Sequence, residues 1–187
     1  MLYLLLTGLL QGGAATYPTC QGVLARHPAL VPIATSMSAA ELARAASAMS
    51  RSDAIQRLAR ASRAWELSPG AKADRELIGA LPASESAARE LYALTEPDCV
   101  IPGWLKALGG GSWVEPALTA IQRRRRGVRP FLIAAWAYGS NAEVSESFAD
   151  SVAQLRDALP EEFSRAVSSL DEGARGHIRM LLEYSAQ

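Results

Sequence analysis

The residues of this chain best suited to chemistry are two cysteines, two histidines, a run of four arginines and a glycine turn between two tryptophans. Cys20 and Cys99 are its only thiols. In an oxidising compartment such a pair forms a disulfide. As a nucleophile Cys99 is poorly prepared, because it follows Asp98 and has no obvious activating base beside it. His27 and His177 stand at opposite ends of the chain. Neither has a second ligand within one helical turn, as His-Glu-x-x-His would provide, so no metal or other cofactor is expected. Glu161-Glu162 and Asp171-Glu172 are adjacent acids of the kind that favour the first turn of a helix. A catalytic acid and base instead need two separate environments.

Arg123, Arg124, Arg125 and Arg126 form the one conspicuous charge run. Consecutive helical residues point in different directions, so the four cannot share a flat face. Ahead of Gly127 they suit a helix C-terminus, where cations offset the macrodipole and glycine can cap. A phosphate, an acidic lipid or an acidic partner is the functional alternative. The segment from Gly103 to Trp113 places Trp104 and Lys106 before Gly109-Gly110-Gly111 and Trp113 after it. Backbone amides there could hold an anion and the indoles could stack on a sugar or peptide, although no phosphate-loop fingerprint is present.

These groups sit in a chain of ordinary globular character. Its 187 residues comprise 49% hydrophobic and 20% charged residues, with a formal net charge of +0. A chain this long buries about 70 % of its unfolded surface and can build one core without a metal. Zero net charge argues against general attraction to nucleic acid or to an anionic membrane. Residues 1–15 read as the back half of a secretory signal peptide, a short leucine-rich run ending in Gly13, Ala14 and Ala15, although no Lys or Arg precedes Arg26. The run is too short to span a bilayer, which takes about 20 apolar residues. Removal of residues 1–15 would leave 16–187 as one helical domain with no transmembrane helix. Arginine supplies all but two of the positive charges, and with abundant alanine this suggests a GC-rich bacterial genome.

The pattern between these residues is helical throughout. Ser38-Ala-Ala-Glu41 and Ser140-Asn-Ala-Glu143 are capping boxes, and Ser50 to Asp53 offers a further cap. Ile55, Leu58, Trp65 and Leu67 belong to an apolar stripe that Ser68-Pro69-Gly70 ends. Further helices are expected near 72–80, from Ser84 to Leu94, and between Val100 and Leu108. Another contains Pro116 in its first turn and ends at the arginines. Phe131 to Tyr138 is apolar on every side, so its helix belongs in the middle of the fold. Phe148, Val152, Leu155 and Leu159 recur at helical spacing, Pro160 opens the next helix, and Asp171 can cap the last. No alternating β-branched run appears. An all-α fold of about eight or nine short-to-medium helices follows, arranged as an irregular bundle or as stacked helical hairpins.

The stretch from Asp53 to Pro69 superficially resembles the second helix of a tetratricopeptide repeat. Arg57 occupies a position that pattern reserves for a small residue, and no 34-residue echo follows, so no family is assigned. Three functions are compatible with these observations. The leading one is an exported bacterial envelope protein acting by contact, as a scaffold or inhibitor-like binding module with another protein as partner. An envelope hydrolase with a shallow site near Trp104 and Trp113 is the second. A cytoplasmic helical-repeat adaptor, with both thiols free, is the third.

Overall fold

A computed structural model describes residues 18–28, 30, 54–82, 84–101, 103–138 and 142–186. Among them the chain forms ten helices and no strand, one helix more than the upper expectation. They are α1 (Cys20–Arg26), α2 (Ala54–Leu67), α3 (Ala71–Ala80), α4 (Glu85–Ala93) and α5 (Gly103–Gly109). The second half supplies α6 (Val114–Arg124), α7 (Val128–Tyr138), α8 (Ala142–Ala158), α9 (Pro160–Ser168) and α10 (Glu172–Tyr184). Residues 1–15, the Ser38–Glu41 capping box, the Ser50–Asp53 cap, and Ser140 and Asn141 of the second capping box fall outside the described residues.

Local chemistry explains many of these boundaries. Thr19 accepts the Gly22 amide at 3.2 Å to start α1, Ser84 accepts Ala87 at 3.3 Å for α4, and Asp171 accepts Ala174 at 2.8 Å for α10. Such caps satisfy amides that have no partner within the helix. Pro160 stands in the first turn of α9, where its missing N–H is no loss. The end of α6 departs from the glycine cap expected of Gly127. Arg125 itself takes the left-handed position, with φ 53°, and its amide donates to the Ile121 carbonyl. Gly127 is also left-handed, with φ 90°, and lies so close to Ile78 that a Cβ would stand 2.6 Å from Ile78 Cγ2.

Packing follows the hydrophobic pattern and produces a bundle rather than a regular stack of hairpins. The apolar helix α7 runs through the middle, with Val128, Phe131, Leu132, Ile133, Ala134 and Ala135 all buried, and contacts α4, α8, α9 and α10. Helices α2, α3 and α6 pack on one another to form one group, and α8, α9 and α10 form a second. Helix α6 joins the groups by packing on α8. Ile55 and Leu58 face the core and Trp65 is partly buried, but Leu67 is 45% exposed where α2 runs into its Pro69 stop. The apolar stripe of α2 therefore ends before its last residue.

Candidate functional site

The two thiols meet. Cys20 opens α1 and Cys99 follows α4, 79 residues later, with 5.8 Å between their Cα atoms and the sulfurs within bonding distance. That Cα separation is the usual one for a disulfide. Both cysteines are buried. Polar contacts converge on the same junction. Glu96 accepts the Cys20 amide at 2.9 Å, which places a carboxylate at the positive end of α1. Glu90 on α4 receives Arg26 at 2.8 Å and lies 3.3 Å from His27 Nε2. His27 thus joins Arg26 and Glu90 in one polar cluster where α1 meets α4.

The glycine–tryptophan segment is built for packing. Trp113 is fully buried, with its ring centroid 6.3 Å from Phe131 and 6.0 Å from Phe148. Phe131 and Phe148 complete the triangle at 5.8 Å. Such an arrangement of aromatic rings anchors a core, and it leaves the Trp113 indole no open face for a sugar or peptide. Gly109 allows α5 to approach α4, because a Cβ there would meet the Leu91 carbonyl at 2.9 Å. Gly111 turns the chain into α6 with φ 93°. Lys106 is half-buried on α5, and the Trp104 side chain lies outside the described residues. The candidate site therefore loses Trp113 to the core.

Beside that turn the structure holds an open groove of about 600 Å³. One wall is Ala107, Gly110, Gly111, Ser112, Val114 and Glu115, and the other is Asp150, Ser151 and Gln154 of α8. Glu115 and Asp150 are exposed, so the rim is acidic. Among the described residues, no three His, Cys, Asp or Glu side chains gather as a metal would require.

The arginine run divides between two carboxylates. Asp74 on α3 has a side chain only 1% exposed. It accepts Arg124 Nε at 3.1 Å and Trp65 Nε1 at 3.0 Å, and Arg123 stands 3.8 Å away. One buried acid thus ties α2, α3 and α6 together. Arg125 turns the other way and grips Glu162 of α9 with two bonds, at 2.9 and 3.2 Å. The Glu162 carboxyl is held below its ordinary range, first by its own backbone amide and then by Arg125. Arg126 is exposed and makes no ion pair among the described residues. Three of the four arginines are therefore engaged in holding the fold.

Sequence reading missed Asp74, although a signal existed. Asp74, Leu77 and Leu81 fall at helical spacing, which puts the acid on the buried side of α3. His177 on α10 is half-buried, and burial lowers its pKa from the usual 6.5. Its Nε2 is enclosed without a hydrogen-bond partner among the described residues. Comparison with known proteins adds no family: no family model matches this chain, and neither curated proteins nor solved structures give a significant match.

Proposed function

We propose that this chain is an exported module of a bacterial envelope, stapled by Cys20–Cys99, that works by contact with another protein. The observation that carries the reading is the meeting of the two cysteines across 79 positions of sequence. A bonded pair of buried sulfurs suits an oxidising compartment and a structural role, since neither sulfur is accessible to a redox partner. The leucine-rich run before Ala15 supplies the matching export signal. The groove rimmed by Glu115 and Asp150 gives the contact reading a surface, being open and acidic at its rim. The hydrolase reading is weakened by Trp113, whose ring is enclosed by Phe131 and Phe148.

A C-terminal alkaline phosphatase fusion tests the address. The enzyme matures only outside the cytoplasm, so the fusion is expected to be active, and to become inactive when residues 1–15 are deleted. An inactive full-length fusion, or activity indifferent to that deletion, contradicts export. Glu115→Lys with Asp150→Lys tests the contact surface. In the native host, site-specific crosslinks from Gln154 to a partner should disappear in that variant while the fold persists.

A further inference from the structure

The groove beside the glycine turn carries an exposed carboxylate on each wall, Glu115 in the first turn of α6 and Asp150 midway along α8. Several other acids of the fold are engaged. Asp74 and Glu162 hold the arginine run, Glu90 holds Arg26, and Asp171 caps α10. Neither Glu115 nor Asp150 makes an ion pair among the described residues. Glu115 can offset the α6 macrodipole, but a place in the middle of a helix gives Asp150 no such reason. We infer that the groove receives an arginine- or lysine-bearing segment of the partner protein, an inference that rests on the contact reading above.

The walls suit such a segment. A cation entering between two carboxylates gains from both, and a guanidinium can divide its five donors between them. Ala107 and Val114 line the same groove, so the methylene stem of the cation meets apolar surface while its charge stays at the rim. Gly110 and Gly111 carry no side chain and leave room for an incoming main chain, which the exposed Ser112 and Gln154 can hydrogen-bond. The surrounding field has the same sign. Helices α8 to α10 (142–186) contain nine Asp and Glu against four Lys and Arg, so a cationic segment is steered toward the α8 wall. That field repels an acidic segment, a nucleic acid or an anionic bilayer. One exposed ion pair adds little affinity, so the cation fixes the register of a wider contact.

The test uses the purified, disulfide-bonded protein and the fluorescence anisotropy of a fluorescein-labelled peptide of alternating serine and arginine. Weak binding is expected, lost between roughly 0.05 and 0.3 M salt, and absent when citrulline, of the same shape without the charge, replaces arginine. Glu115→Gln with Asp150→Gln should weaken binding about tenfold, several-fold for each carboxylate. Glu172→Gln with Glu183→Gln removes the same charge from exposed positions of α10 and should change it less than about twofold. Ala107→Phe keeps the charge but narrows the groove, and should weaken binding several-fold. Equal losses in the two double variants, or no loss in Ala107→Phe, would mean a diffuse field and overturn the inference. Spermidine binding as tightly as the peptide would assign the groove to small polyamines and overturn it. Oligomers of the protein alone in sedimentation velocity, dispersed by Glu115→Gln with Asp150→Gln, would assign it to a second copy, with the same consequence. If the arginine peptide does not bind while the Gln154 crosslinks form in the native host, the contact reading stands and this inference alone falls.

Discussion

The two halves of the bundle are cemented differently. In the α2–α3–α6 group a buried carboxylate bridges three helices, with Asp74 receiving Trp65 from one side and Arg124 from the other. In the α8–α9–α10 group the buried side chains include Phe148, Val152, Leu155, Phe163 and Ile178, with Asp171 capping α10. Burying a charge is costly unless a partner stands ready, whereas apolar packing tolerates imperfect geometry by small shifts. The α2–α3–α6 group has thus committed part of its stability to one arrangement of polar side chains. That commitment also decides where the arginines point. Arg124 turns to Asp74 at 3.1 Å, while Arg123 stands 3.8 Å away with its side chain 53% exposed.

Substitutions can break this contrast. Asp74→Ala should have the largest effect, about 3–5 kcal/mol in chemical denaturation, because it strands the Arg124 guanidinium and the Trp65 indole N–H. If the loss is under about 1 kcal/mol, the carboxylate is not what joins these helices. Leu155→Ala probes the apolar group by leaving a cavity, and about 2–4 kcal/mol is expected. The two losses should add within about 0.5 kcal/mol, since the sites share no partner. Gly127→Ala should cost about 1–3 kcal/mol, through its left-handed backbone and the collision with Ile78. Asp171→Ala removes a single cap and should cost about 1 kcal/mol, read as a lower thermal midpoint.

The smallest effect concerns pH. Burial holds the His177 pKa below its ordinary 6.5. The unfolded chain therefore takes up this proton at a higher pH than the folded chain does. Stability should be unaffected by this group well above 6.5, and should fall as the pH drops from there through the lowered folded value. His177→Gln should flatten that part of a urea-midpoint profile recorded against pH. An unchanged slope would mean that the imidazole reaches water in the folded state.

Much of this architecture can be read from local pattern. The apolar run from Phe131 predicts a central helix, and the spacing of Phe148, Val152 and Leu155 predicts a buried face, because both follow from a 3.6-residue period. Caps at Ser84 and Asp171 are equally local. The failures are all non-local. Leu67 continues the α2 stripe in sequence, yet nothing packs over the end of that helix closely enough to cover it. Trp113 beside three glycines has the composition of a ligand loop, and only the approach of Phe131 and Phe148 makes it a core residue. The four arginines read as a single feature, but their roles depend on Asp74 and Glu162, which lie 50 and 37 residues from their partners. The Cys20–Cys99 pair was the exception, because two cysteines allow only one intramolecular bridge.

The export claim is tested most directly by the intact mass of the protein isolated from its native host, with thiols alkylated under denaturing, non-reducing conditions. The account predicts a chain starting at Thr16, two hydrogens lighter than its reduced form and carrying no alkyl label. A chain retaining Met1 with both Cys20 and Cys99 alkylated would contradict it.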